Sequence, residues 1–168
     1  MIEIKEFSYF ASKEYISKFE ILEKPDPLST DWIDVEDSRA TYIWVLENII
    51  DKPLGFLSYK VLILPNRIDF IYIVKIYVLH THRGEAPNLI EGERISSILF
   101  RELAKKEINI FTLESACEQL DRYYAELGFR YIKEVSTELA SVIETTAPIM
   151  HKIEKKKSLS DIEKAMFG

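Results

Sequence analysis

Between Tyr77 and Leu103 the chain reads YVLHTHRGEAPNLIEGERISSILFREL. An apolar run leads into Arg83-Gly84, a second glycine follows at Gly92, and Ile95, Ile98, Leu99 and Leu103 then recur at helical spacing. A strand that enters a glycine turn and then a helix gathers backbone N–H groups at the helix start. The helix dipole favours an anion at the same point, so such a turn can hold a diphosphate. Gly84 removes a side chain where backbone and phosphate must approach closely. Two registers are open. One centres on Arg83-Gly84, with which the strand aligns without a gap. The other centres on EGERIS and brings Gly92, Arg94 and Ser96 to the phosphates. A glycine in such a turn also occurs for steric reasons alone, and a decayed loop that binds nothing is the bland alternative.

Other reactive side chains are sparse. His80 and His82, two apart, suggest a metal pair, but no third ligand follows at a suitable spacing, so no metal is expected. Cys117 has no histidine placed beside it by the sequence and reads equally well as a small buried hydrophobe. Tyr124 shares a helical face with Leu120 and Leu127, which on pattern alone makes it a core residue. Lys75 is unusual within an apolar strand and either faces a cleft or reaches its edge. Candidate bases are Asp69 and the acids Asp31, Asp34, Glu36 and Asp37, for which a solvated loop is the default.

These residues must be positioned by a mixed set of elements. IEIKEF alternates as a strand, and SKEYISKFEIL places Tyr15, Ile16, Phe19 and Leu22 on one helical face with Ser12 as a possible N-cap. EKPDPLSTDWIDVEDSR is an acidic, proline-bearing loop with room for one short helix around Trp32. RATYIWVLE, LGFLSYKVLIL and IDFIYIVKIYVL follow as strands joined by short turns, which makes an antiparallel meander. The last of these is nearly all apolar, so burial on both faces is expected. ERISSILFRELAKKE is a helix, INIFTLE a strand, and SACEQLDRYYAELG a helix stopped by Gly128. FRYIKEV and LASVIETTAPIM read as a final hairpin. The strand–helix–strand piece requires a crossover, so one parallel pair sits in a mostly antiparallel sheet. The expectation is an α+β domain over residues 1–150, followed by a charged, amphipathic tail over 151–168.

With 168 residues, one such domain can bury a core without disulfides or metals. A formal charge of -6 disfavours nucleic acid, whose phosphates call for clustered Lys and Arg, and favours a cationic ligand. One cysteine fits a reducing compartment, and the N-terminus lacks the basic and apolar regions of a signal peptide. No window approaches ~18 consecutive apolar residues. The expected location is the cytoplasm, with no membrane contact.

IYVLHTHRGEA, ISSILFREL and YYAELGF together resemble the GNAT acetyltransferase superfamily, and the resemblance spans Ile2 to Met150. It implies a GNAT-like sheet with flanking helices, acetyl-CoA as acyl donor, and a primary amine as acceptor. The amine belongs to a small molecule, a lysine side chain or a peptide N-terminus. The family's central strand bonds the pantetheine arm through its backbone, which falls here on Ile76, Tyr77 and Val78. Its pyrophosphate loop, Gln/Arg-x-x-Gly-x-Gly/Ala, starts at Arg83 and runs through Gly84 and Glu85, with its glycine positions on Ala86 and Asn88. Ala86 can donate its N–H from a helical first turn, and Pro87 suits a helix start. The distance from Arg83 to Leu103 exceeds the family's spacing, which implies an insertion around Asn88 to Glu93. Cys117 falls where the family often has an asparagine contacting the cofactor. Tyr124 matches the tyrosine that protonates the departing thiolate. The resemblance also admits a non-catalytic GNAT-like binding or regulatory module, motivated by the missing glycines. A homodimer, and docking of the tail on a partner through Ile162, Met166 and Phe167, are left open.

Overall fold

The computed structural model describes residues 1–23, 39–114, 118–132, 137–143 and 149–153. The element order is β1 (Ile2–Ser8), α1 (Tyr9–Glu23), β2 (Thr41–Glu47), β3 (Lys52–Ile63), β4 (Asp69–Val78), a 3-10 turn (His80–His82), α2 (Ile95–Ala104), β5 (Ile110–Glu114), α3 (Glu118–Glu126), β6 (Arg130–Tyr131), α4 (Thr137–Val142) and β7 (Ile149–Ile153). The strands form one sheet in the order β1-β2-β3-β4-β5-β7-β6. β1 with β2, β2 with β3, β5 with β7 and β6 with β7 are antiparallel, while β4 and β5 are parallel through the α2 crossover. The expected α+β architecture is therefore observed. Residues 24–38 of the acidic loop, with Trp32, Asp31, Asp34, Glu36 and Asp37, lie outside the described residues, as do Cys117 and residues 154–168.

The chain divides into two compact units, Met1–Tyr59 with Val74–Lys105, and Lys60–Ile73 with Lys106–Gly168. In the first unit α1 packs an aromatic face. Phe19 meets Trp44, Phe56 and Tyr77 edge-on at 6.3, 6.0 and 5.1 Å between ring centres. Phe19, Trp44 and Phe56 are almost wholly buried, each contributing roughly 1.5–3 kcal/mol. The α1 face departs from the expected one in two respects. Ser8, rather than Ser12, stands at the helix start, accepting from the Ala11 N–H at 3.3 Å. Ser12 is fully buried and accepts from the Trp44 indole N–H at 3.0 Å. Leu22 is half-buried, and Glu23 takes the buried position instead.

Successive strand residues face opposite sides, so Gly55, next to Phe56, faces away from α1. A Cβ there would stand 2.9 Å from both Ile95 Cγ2 and the Tyr77 carbonyl oxygen. Glycine is thus what lets the first residue of α2 close onto β3 and β4. Ile95, Ile98, Leu99 and Leu103 form the buried stripe of α2, as their spacing implied.

In the second unit the core joins Leu64, Phe70, Ile110, Ile132, Leu139, Ile143 and Ile149. The Thr112 hydroxyl donates to the Ile71 carbonyl at 3.3 Å, and the Tyr72 hydroxyl donates to Glu114 at 2.6 Å. The expected final hairpin is corrected here. Thr137–Val142 is helical, and the Ile143 N–H reaches the Leu139 carbonyl at 2.9 Å. β7 starts only at Ile149 and continues past residue 150 to Ile153, pairing with β5 and β6. β4 also differs from expectation. Its pairing with β5 covers Ile71–Ile73 among the described residues, and Val74, Lys75 and Ile76 beyond it are half-buried.

Candidate functional site

β4 delivers Ile76, Tyr77 and Val78 to the start of a long connection to α2, and the Leu79 N–H is held by the Leu54 carbonyl at 2.9 Å. Tyr77 is buried, while Ile76 and Val78 are half-buried. The connection then runs through the His80–His82 turn and a bend over Arg83–Ala86, and α2 begins at Ile95. Ala86 therefore does not occupy a helical first turn, and Pro87 does not open the helix; both expectations are corrected by the helix start. Glu85, Ala86 and Asn88 are exposed, and the Asn88 N–H folds back to the Thr81 carbonyl at 2.9 Å.

A two-residue hairpin stands directly before α2. Ile90 and Glu93 exchange both backbone hydrogen bonds at 2.9 Å, and the residues between them, Glu91 and Gly92, have φ of 50° and 80°. Positive φ at both central positions is the type I′ geometry, which glycine enters without strain. Arg101 of α2 grips the Glu93 carboxylate with both guanidinium nitrogens. That bond holds the Glu93 carboxyl below its usual range. Arg94 precedes the helix and donates to the Gly84 carbonyl at 3.0 Å. The first bond within α2 runs from Ile98 N–H to Arg94 O at 3.2 Å. The N–H groups of Ile95, Ser96 and Ser97 thus have no acceptor inside the helix. The inserted residues form an ordered loop that ends in a helix N-terminus able to receive an anion.

Arg83 is engaged elsewhere. Its guanidinium donates to Glu23 at 3.1 Å and to the Val78 carbonyl at 2.8 Å, and lies 5.1 Å from the centre of the Tyr77 ring. Glu23 is fully buried. Its Oε2 also accepts from the Tyr77 hydroxyl at 3.1 Å, and its Oε1 accepts from the His80 N–H at 2.7 Å and stands 3.2 Å from His80 Nδ1. Burial lowers the pKa of Arg83 while the Glu23 charge raises it, and the net effect is upward. Burial, then Glu23, pushes the Tyr77 phenol up, with Arg83 opposing. Burial, and next the charge of Lys52, pull the His82 pKa down. Among the described residues no group of three His, Cys, Asp or Glu is placed to hold a metal. Asp69 is exposed.

In the second unit, Tyr124 lies on α3 and is 6 % exposed. The helix ends in a Schellman turn, with Gly128 N–H to Ala125 O and Phe129 N–H to Tyr124 O, both at 3.0 Å. Gly128 supplies the φ of +99° this turn needs. The turn folds Phe129 back onto Tyr124, ring centres 6.0 Å apart and edge-on, while Tyr123 is 5.6 Å away on the helix. The YYAELGF sequence thus fixes the Tyr124 ring through a helix stop and an aromatic contact.

Sequence reasoning overlooked Glu23. The available signal was its position: an acid seven residues after Ile16 and four after Phe19 falls on the buried stripe of α1.

No protein-family model matches the chain, and no curated protein matches it in sequence. Solved structures do. An acetyltransferase of the GNAT family from Staphylococcus aureus aligns with a TM-score of 0.59 at 17 % identity, covering 92 % of this chain and 100 % of that one. The ribosomal-protein-S18-alanine N-acetyltransferase from Escherichia coli aligns with a TM-score of 0.56 at 14 % identity, covering 95 % and 98 %. Arabidopsis thaliana NAA60, in complex with a bisubstrate analogue, aligns with a TM-score of 0.56 at 12 % identity, covering 94 % and 100 %. No helix among the described residues is long and apolar enough to cross a membrane. At these identities the likeness speaks to architecture alone, and the chain has the GNAT fold.

Proposed function

We propose that the protein transfers an acetyl group from acetyl-CoA to a primary amine. The observation that carries this reading is the ordered connection from β4 into the open N-terminus of α2, within a GNAT fold. Of the two loop registers, the helix start favours the later one. Gly92 and the N–H groups of Ile95, Ser96 and Ser97 would receive the pyrophosphate, because of the two registers this one joins the first N–H groups of the helix to its dipole. The bend from Arg83 through Gly84, Glu85 and Ala86 to Asn88 would then form the outer wall of the phosphate loop. Backbone groups of Ile76, Tyr77 and Val78 would hold the pantetheine arm, and one N–H would polarise the thioester carbonyl. Cys117, outside the described residues, is where the resemblance would place a further cofactor contact.

In the reaction the neutral acceptor nitrogen attacks the acyl carbon, forming a C–N bond. The C–S bond breaks and its electron pair stays on sulfur. Tyr124 donates its phenolic proton to that thiolate and is reprotonated from solvent, to which the proton of the attacking nitrogen leaves. A phenol of pKa about 10 is matched to so basic a leaving group. The acids Asp31, Asp34, Glu36 and Asp37 favour a cationic acceptor such as a polyamine, a lysine side chain or a peptide N-terminus. Among structures of the same fold are the S18-alanine N-acetyltransferase and one holding a bisubstrate analogue. The name of the first is what supports an amine acceptor here. The single cysteine supports a cytoplasmic location. Release of CoA thiol across a panel of amines tests the activity. Turnover confined to acidic or neutral amines removes the cationic acceptor, and thiol release from none of them removes the transferase.

One observation favours a second reading. Arg83, the first residue of the family loop, has its guanidinium bonded to Glu23 and Val78. A non-catalytic GNAT-like module would bind CoA weakly and turn nothing over.

A further inference from the structure

A carboxylate with no exposed surface, reached by three residues from a different part of the chain, is costly to bury unless each oxygen is well satisfied. Glu23 meets that condition. Its two oxygens stand within 3.2 Å of the Tyr77 hydroxyl, the His80 N–H, His80 Nδ1 and the Arg83 guanidinium. These groups come from the end of β4, from the 3-10 turn and from the first bend of the connection to α2. Arg83 extends the bond further by donating to the Val78 carbonyl, the last residue of β4. Glu23 in turn is the last residue of α1. One side chain therefore fixes the backbone from Tyr77 to Arg83 against the end of a helix.

We propose that Glu23 is a positioning residue: its buried carboxylate clamps the exit of β4 and the entry of the loop in the conformation that receives the acyl donor. This rests on the acetyl-CoA reading for the identity of the ligand, but the clamp itself is a property of the ligand-free chain. Glu23 touches neither acceptor nor thioester in this role. Its effect runs through the placement of the Tyr77 and Val78 backbone, so it belongs to affinity and not to the chemical step. Removing its charge leaves the hydrogen-bond acceptor only half intact and turns one oxygen into a donor aimed at Arg83 or Tyr77.

The test uses the full chain with Glu23→Gln, and with Tyr77→Phe as a milder variant that deletes one donor and keeps the ring packing. Two readouts are taken. Amide exchange of residues 79–90 without ligand should quicken at least tenfold in Glu23→Gln and two- to threefold in Tyr77→Phe. Exchange in β5 should stay at the parental rate. The Kd and KM for acetyl-CoA should rise about tenfold in Glu23→Gln, with kcat at saturating donor within twofold of the parent. Unchanged exchange in both variants overturns the clamp. A fall in kcat at unchanged KM also overturns it, because that would place Glu23 in the chemical step. If the parent binds no acetyl-CoA, the proposed function fails by itself, and the exchange rates still decide whether Glu23 holds the loop. If Glu23→Gln does not fold, Tyr77→Phe carries the same two readouts.

Discussion

The β4–α2 connection and the surroundings of Tyr124 are held by opposite means. The connection is pinned by polar bonds: Glu23 with Tyr77, His80 and Arg83, Arg94 with Gly84, and Arg101 with Glu93. Tyr124 is set by a helix stop and an aromatic ring, in a unit whose buried cluster around Leu139 is aliphatic apart from Phe70. Polar pinning suits a loop that must present backbone N–H groups to a charged ligand, because directional bonds fix the backbone itself. Apolar packing suits a single side chain whose ring must stay in place while its hydroxyl gives up a proton. The difference predicts which substitutions alter ligand affinity and which alter rate or stability.

The largest effect should come from the proposed proton donor on the packed side. Tyr124→Phe keeps the ring against Phe129 and removes the hydroxyl, so on the acetyl-transfer reading kcat should fall at least ~100-fold. The acetyl-CoA Kd should remain within about twofold, as read by steady-state kinetics beside calorimetry. Next comes the buried cluster of the same unit. Leu139 is fully buried in the second cluster, and Leu139→Ala should cost about 2–5 kcal/mol in urea unfolding. A loss below 1 kcal/mol would mean that α4 does not anchor this core.

On the pinned side the effects should be smaller in stability and larger in binding. Gly55→Ala places a methyl 2.9 Å from the Tyr77 carbonyl, which as backbone cannot turn aside. A stability loss of ~1–3 kcal/mol should accompany weaker acetyl-CoA binding, because the start of α2 must shift outward. An unperturbed Kd would detach the helix start from the ligand site. Glu93→Gln should be the mildest. The folded Glu93 carboxyl sits below its ordinary pKa, so its contribution is present above the unfolded value near 4.5 and is lost as pH falls through the lower folded value. The melting temperatures of variant and parent should therefore differ at pH 7 and draw together as pH falls below about 4.5. A difference that does not shrink on acidification would rule out the Arg101 ion pair as its source.

The sequence carried most of this architecture through periodicity. The strands β2 to β4 declared themselves by β-branched and aromatic runs, α2 by its apolar stripe, and the α3 stop by Gly128. The crossover between β4 and β5 followed from element order alone. The final hairpin misled because Val142, Ile143, Thr145 and Thr146 favour strand locally, while Leu139, Val142 and Ile143 also share a helical face. The competing helix won around Leu139, which is fully buried. Glu23 was overlooked for a different reason. Its place on the buried stripe of α1 was readable, but its partners lie 54 to 60 positions away, and no local pattern records a bond over that distance. The register of the phosphate loop was equally ambiguous, since it depends on where α2 starts. That start is set by the Ile90–Glu93 hairpin and by the fit of Ile95 against Gly55.

The most direct measurement is thermal unfolding of the purified protein with and without acetyl-CoA. At about 100 times its Kd the ligand stabilises the folded state by ~2.7 kcal/mol. For a chain of this length that is a rise in Tm of roughly 5–10 °C. Such a rise, reduced in Gly55→Ala and retained in Tyr124→Phe, is the predicted result. An unchanged Tm at millimolar acetyl-CoA would contradict the acetyl-CoA site and leave the GNAT fold without its donor.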